Sequence, residues 1–554
     1  MKVSLCSLRP YRLFAVMLLG ICAAAGFSQV KVNITVDESK TVNVLTSATI
    51  GAYTQISDGN WLNPQVLPLL RIGGFTSIRY PGGYDGQADL YHWSTNKGVK
   101  WGNSDPPKLA TYPQSNDFGH FAQFAEQLGT AIITVNYGSN AAGTGGGEPS
   151  EAAAWVAYAN GDPNTTTVIG KDSSGFDWKT VGYWAALRAA SPLSSDDGYN
   201  FLRISHPKPF NVKLWEIGNE VYNNGWFGAN HATETDLHAP YPPNQKDNDK
   251  RRKNPDLSPS FYGARLQEFA KAMKSVDPGV MIGASLTVPP SAYTQAPTDI
   301  YSAPSNDYAW GGDWDADVLK AACQQIDFVS LHWHPGKTLP PDWKMLDEGS
   351  LFSEAEGNLP KIVNELVHLY GRSCPAGHVP RIAITELSPI SWGKTQTPVV
   401  NALFSAEVYA ILAEMGTINT DWYQLHENGL LTDDNKPLPP YYGVQMLHII
   451  AHAPGDTFVV VSSNNSSVAA FATRRRDGLT GVMLINKDPK TAANVQVTLN
   501  GAQSGTEGLR FEYGPEQVKA NAPMTKTNLT GLGSSFPVAV PAYSIVDLLL
   551  LPPK

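Results

Sequence analysis

At 554 residues the chain is too long for one compact core, so two domains are the expectation. Charged residues make up 16 % and aromatics 10 %, which excludes a disordered chain and suits well-packed globular domains. The formal net charge is −9, moving to −12 without residues 1–28 and their Lys2, Arg9 and Arg12; such acidity disfavours nucleic acid and anionic membrane and suits a neutral partner such as a polysaccharide or oligosaccharide.

Residues 1–28 pass from a basic start through the apolar run 13–26 to small residues. That is the form of a secretory signal peptide, and it is too short for a membrane span. A mature chain starting near Gln29, secreted or periplasmic, is expected. Stretch 30–36 alternates apolar and polar strictly, the mark of a strand with one wet face. No similar strand follows until about residue 458. Segment 29–47 is therefore expected to join a C-terminal β-sandwich, 453–554, with a barrel domain, 48–452, inserted between.

Across 48–452, short apolar runs alternate with helical stretches, the pattern of a (β/α)8 TIM barrel. The expected strands are 49–53, 77–80, 131–137, 212–219, 281–285, 328–332, 382–386 and 422–426. The clearest helix is 259–276, where Tyr262, Leu266, Phe269, Met273 and Val276 fall three or four apart. Ser258 stands at its capping position and Asp277-Pro278-Gly279 stops it. Glycine-rich 138–150 and polar, aromatic 222–254 leave the carboxyl ends of strands, where a barrel builds its substrate site. The charge run 250–253 reads as a solvated loop.

From about 458 the strands 458–462, 467–473, 481–485, 495–499, 509–513 and 544–550 follow one another with turns and no good helix between them, as in an all-β sandwich. No repeat or low-complexity linker separates the two domains, so tight packing is expected. Past residue 28 two cysteines remain, Cys323 and Cys374. Two buried thiols are favoured, although an exported protein permits a disulfide.

The chemistry sits in two stretches. Residues 213–220 begin apolar and end in Gly218-Asn219-Glu220, and 381–386 are an apolar run ending in Glu386. Two buried strands each ending in glutamate bring two carboxylates to one end of a parallel barrel, the machinery of glycosidic bond cleavage. Period-two alternation places Leu214, Glu216, Gly218 and Glu220 on one face. Glu220 then points into the site, and Glu216 points into the barrel below it, where a carboxylate needs a partner such as Arg79 or Arg71. Glu220 is the expected general acid/base, with its pKa raised by burial and by the second carboxylate. Glu386 is the expected nucleophile, kept ionised by hydrogen bonds and a nearby cation.

Phe328, Ser330, His332 and His334 share an inward face, so both histidines approach the site. A metal role for them lacks a third ligand at suitable spacing, and neither metal nor cofactor is expected. Tyr84, Trp93, Trp101, Trp226, Trp310, Trp314, Trp333 and Trp392 crowd the expected mouth. Aromatic faces suit sugar rings, although about half of these are expected to pack loops instead.

The two motifs resemble the acid/base and nucleophile motifs of the clan A retaining glycosidases, whose Asn-Glu ends the fourth barrel strand and whose nucleophile ends the seventh. From about residue 50 onward the chain is most similar to glycoside hydrolase family 51, the α-L-arabinofuranosidases and some endoglucanases. The matching pieces are Arg79-Tyr80-Pro81-Gly82-Gly83, Glu151-Ala152-Ala153-Ala154-Trp155-Val156, Pro209-Phe210-Asn211-Val212-Lys213 and Ser330-Leu331-His332. The resemblance implies that Arg79 holds the nucleophile and that Asn219 meets the sugar 2-hydroxyl. It places His332 at a family histidine, and His334 where the family usually has a tyrosine beside the nucleophile.

Two departures bear on substrate. Tyr84 follows Pro-Gly-Gly where the family has asparagine, and Tyr53-Thr54-Gln55-Ile56 lacks the glutamate that grips a furanose. Tyr84, Trp226 and Trp392 are expected among the substrate contacts. The expected activity is retaining hydrolysis of plant cell-wall-type polysaccharide, arabinofuranosidase-like, with an endo-β-1,4-glucanase or xylanase as the rival. A barrel that binds glycan without cutting it is the alternative of another class; the presence of both glutamates argues against it.

Overall fold

Eight short strands with almost wholly buried residues close the first body: β2 (Gly51–Tyr53), β3 (Ser77–Tyr80), β6 (Thr130–Val135), β7 (Leu214–Ile217), β8 (Met281–Ser285), β9 (Phe328–Trp333), β10 (Arg381–Leu387) and β11 (Asn419–Trp422). They are parallel and form a closed barrel in the order β2-β3-β6-β7-β8-β9-β10-β11. The computed structural model describes residues 30–82, 90–99, 109–223, 236–239, 254–287, 314–334, 346, 359–389, 398–427, 429–501 and 505–552. Among them no helix is long and apolar enough to cross a membrane. The hairpin β4 (Lys97–Val99) and β5 (Leu109–Thr111), in the loop after β3, was not expected.

Helices cover the barrel for the reasons legible in their sequences. Helix Pro259–Val276 has the expected bounds; the Ser258 hydroxyl accepts from the Phe261 N–H at 3.1 Å, and Tyr262, Leu266, Phe269 and Met273 are buried. Seven barrel strands lie where expected to within a few residues. The eighth does not: β11 spans Asn419–Trp422, three residues upstream of 422–426. Its Asn419, Thr420 and Asp421 are polar yet fully buried, so the apolar run that marks a buried strand is absent there.

The second body is a nine-stranded mixed sheet containing β1 (Val30–Val44), β12 (Thr457–Ser463), β13 (Val468–Arg474), β14 (Thr480–Asn486), β15 (Ala493–Asn500), β16 (Glu507–Tyr513), β17 (Thr525–Thr530), β18 (Ser535–Val540) and β19 (Ser544–Leu550). Its order is β17-β16-β19-β14-β13-β12-β1-β15-β18. The first strand lies inside this sheet, antiparallel to β12 and parallel to β15. Strands β17 and β18 and the short helix Pro515–Ala520 were not anticipated. β17 is polar and exposed except at the half-buried Leu529, so it carries no apolar alternation to read.

Each face of this sheet has its own burial. Val32, Ile34 and Val36 of β1, Val482 and Leu484 of β14, Val538 of β18, and Val546 and Leu548 of β19 form one apolar cluster. The alternate residues Met483, Ile485 and Ile545 belong to the barrel's own core. The two bodies thus share a core, and the buried Lys487–Glu407 pair (3.0 Å) joins the sheet to helix Val400–Glu414.

Cys323 and Cys374 form a disulfide, with Cα atoms 5.4 Å apart, which corrects the expectation of two thiols. They follow helices Trp314–Ala322 and Leu359–Ser373, whose ends are neighbours only in the fold.

Candidate active site

Arg79, on β3 and fully buried, organises the carboxyl end of the barrel. Its Nε donates to Glu216 Oε1 (2.5 Å), Nη1 to Glu386 Oε1 (2.9 Å) and Nη2 to Asn219 Oδ1 (2.8 Å). The guanidinium also lies 5.2 Å from the Tyr53 ring centroid. Glu216 therefore has the expected ion-pair partner. Arg71 is not that partner: it donates outside the site, to the Gln127 carbonyl.

β7 ends at Ile217, so alternation does not carry Glu220 into the site as expected. A turn does. Gly218 adopts φ +77° and Glu220 φ +41°, both left-handed. A Cβ on Gly218 would stand 2.4 Å from Val221 Cγ2 and 3.0 Å from Tyr137 Cβ, so both conformation and space call for glycine.

Glu386 is likewise aimed by an irregularity. Ile384 pairs with Leu331 and Glu386 with His332, so two residues of β10 oppose one step of β9 and Thr385 is the extra one. Such a bulge turns a side chain away from the face that alternation assigns it.

His332 bridges the two glutamates. Its Nδ1 is 2.7 Å from Glu220 Oε1 and 3.4 Å from Glu386 Oε2. His334 places Nε2 3.5 Å from Glu386 Oε2 and Nδ1 3.2 Å from the Ser388 carbonyl oxygen. Burial alone would raise the Glu386 carboxyl, but His332, the hydrogen bond from His334 and Arg79 outweigh it and hold the group below its ordinary range. For His332, burial acts downward and the two carboxylates prevail, so its pKa is raised. Glu386 is thus set up to be an anion.

One oxygen each of Glu220 and Glu386 and one nitrogen of His332 lie within 4.8 Å of one another. A cation there would face the Arg79 guanidinium across Glu386, 2.9 Å from that carboxylate, so the trio fits paired-carboxylate chemistry better than a metal centre.

Arg79, Asn219, Glu220, His332, His334 and Glu386 therefore converge. Tyr84, Trp226 and Trp392, with Trp101 and Trp310, lie outside the described residues. Trp93, Trp314 and Trp333 are buried at 4 % exposure or less, so they are core and not cleft lining. Trp93 stacks on Trp155 and Trp314 on Tyr262.

Two site residues carry no signal in the sequence, Tyr53 and Tyr423: their rings are 4.7 Å apart, with Arg79 over the first and His334 edge-on to the second. The misplaced last strand hid Tyr423, which directly follows β11. Gln55, at the site of a departure from the family pattern, is 2 % exposed and its Nε2 lacks a hydrogen-bond partner.

No family model matches the chain. Over 231 residues it is 26 % identical to a probable α-L-arabinofuranosidase C from Aspergillus flavus, a match covering 41 % of this chain and 33 % of that protein. The chain thus spans about a third of the length of that curated relative. In fold it matches the arabinose complex of the α-L-arabinofuranosidase from Thermotoga maritima, with a TM-score of 0.63, 18 % identity, and coverage of 94 % of this chain and 100 % of the other. The chain resembles family 51 in sequence and in fold. This family-51-like chain also matches the fold of the family 44 endoglucanase from Clostridium thermocellum, at TM-score 0.61 and 15 % identity over 95 % of this chain and 100 % of that one.

Proposed function

We propose that the protein is a retaining glycoside hydrolase of the α-L-arabinofuranosidase type, acting on plant cell-wall-type polysaccharide through two glutamates. The observation that carries this reading is the approach of Glu220 and Glu386 to within 4.8 Å, with Arg79 on the second of them. With one oxygen of each no more than 4.8 Å apart, the pair supports the retaining arrangement, whose carboxyl groups stand about 5–5.5 Å apart, over the inverting one at about 6.5–9.5 Å.

Glu386 attacks the anomeric carbon as Glu220 passes its proton to the leaving oxygen, giving a glycosyl ester on Glu386. Glu220, now a carboxylate, takes a proton from water, and that water displaces Glu386. Asn219, held by Arg79, is oriented to meet the sugar 2-hydroxyl.

Proton NMR of the first product formed from an aryl α-L-arabinofuranoside tests the reading. The retained anomer is expected, and an inverted one overturns it. A second reading, endo-cleavage of a β-1,4-linked backbone, is favoured by Gln55 standing where a furanose grip would need glutamate. Early release of short oligosaccharides supports it; free arabinose as sole product excludes it.

We also infer that the catalytic barrel comprises 48–452, that 29–47 and 453–554 build a β-sandwich, and that the protein is exported after loss of residues 1–28. The disulfide supports an oxidising compartment. N-terminal sequencing near Gln29 checks the export.

A further inference from the structure

Beside His332, a second histidine without a task in the mechanism stands against the Glu386 carboxylate, His334. Its Nε2 faces Glu386 Oε2 at 3.5 Å and its Nδ1 faces the Ser388 carbonyl oxygen at 3.2 Å. Both neighbours accept hydrogen bonds and neither donates. A neutral imidazole has one N–H and serves one of them, whereas the imidazolium serves both. The side chain is 12 % exposed, which leaves little room for water to take either place.

Among the described residues, the titratable and charged groups around the ring come from four strands. Glu386 lies on β10; Tyr423 follows β11, with its ring edge-on at 5.5 Å; His332, on β9, contacts the same Glu386 oxygen at 3.4 Å and links to Glu220 at 2.7 Å. Arg79, on β3, holds the opposite oxygen, Oε1, at 2.9 Å.

We propose that His334 is a positioning residue that enters the reaction as an imidazolium, bridging Glu386 Oε2 and the Ser388 carbonyl and fixing the plane of the nucleophile. Arg79 holds one end of the carboxylate and His334 the other, so the side chain cannot rotate about its last bond without breaking a charged contact. The same ring ties Glu386 to the backbone two residues on, past the bulge that aims it. The proposal rests on Glu386 being the nucleophile. Once Glu386 is esterified, the negative charge opposite Nε2 is gone, and the proton on His334 is held less firmly.

The first test reads the proton directly. In histidine-selective 15N NMR of the full chain, with His334→Asn used for assignment, His334 is expected to be doubly protonated at pH 7.5. Its titration midpoint is expected to fall by about one pH unit or more in Glu386→Gln. A neutral ring in the wild type, or a midpoint unmoved in Glu386→Gln, overturns the proposal.

The second test reads the reaction. His334→Gln keeps a donor but not a cation, so the Glu386 pKa rises and the acid limb of kcat/KM on a dinitrophenyl glycoside moves to higher pH, by about half a unit or more. An unmoved limb overturns the positioning role. If the wild type cleaves no glycoside at all, the hydrolase reading fails, and the NMR measurement still decides the state of His334.

Discussion

Arg79 divides its guanidinium among Glu216, Asn219 and Glu386, and Glu220 has no share in it. The two catalytic candidates should therefore fail differently when changed. Glu386→Ala removes the nucleophile, so natural and activated substrates are both lost. Glu220→Ala removes the proton donor, which slows natural substrates by about 10²–10⁴-fold and matters little in the first step with a dinitrophenyl leaving group. That variant should accumulate the glycosyl-enzyme, and azide should restore turnover with retained configuration. Equal loss on both substrates without azide rescue would remove Glu220 from its role. At this scale the sequence was informative, because a buried acid demands a cation and Arg79 stood at the end of a neighbouring strand. It could not separate Arg79 from Arg71, since only the fold shows that Arg71 points away to Gln127.

Elements were legible where they were regular and opaque where they bend. Alternation placed Glu216 correctly in the barrel, yet Glu220 and Glu386 reach the site through a left-handed turn and a bulge. Neither has a period to detect. Gly218→Ala tests the turn: the φ of +77° costs a β-carbon about 1–2 kcal/mol, and the 2.4 Å approach of Val221 adds to that. A lower urea midpoint together with a drop in kcat/KM is expected; unchanged values for both would mean that the turn tolerates a side chain.

β19 carries the opposite kind of irregularity. Asp547 is fully buried and neither of its oxygens has a hydrogen bond. Burial raises its carboxyl well above the ordinary range. The folded state therefore favours the protonated acid, and this contribution to stability is fully present below about pH 4 and lost as pH rises toward the folded value. Asp547→Val should stabilise the protein at pH 7 by about 1–3 kcal/mol and by less at pH 4. Thermal melts at the two pH values measure this, and an equal shift at both would show that ionisation is not the cause.

Over the whole molecule, barrel and sheet are one packing unit. Met483, Ile485 and Ile545 complete the barrel's core, and helix Pro439–Ile450 packs against β14, β16 and β19. A fragment of residues 50–451 should be poorly soluble, because it leaves that apolar contact face open to water. A soluble, fully active fragment would show the sheet to be dispensable. The insertion of the barrel was readable from one alternating strand stranded far from its partners. The shared core was not, since apolar residues on both faces of β14 look the same in sequence whichever body they meet.

That early strand also has a history in the cell. Asn33 donates its N–H to the side chain of Asn464, 431 residues later. A ribosome adding about 5–20 residues per second needs roughly 20–90 s to make the intervening chain. Throughout that time Val32, Ile34 and Val36 have emerged with neither β12 nor β15 yet made, an edge open to any passing nascent chain. The barrel can close in the interval, but the sheet cannot. Substitutions that make Val30–Val44 more apolar should therefore reduce the yield from synthesis, while molecules that do finish melt at the usual temperature. Supplying a holding chaperone should recover the first without moving the second.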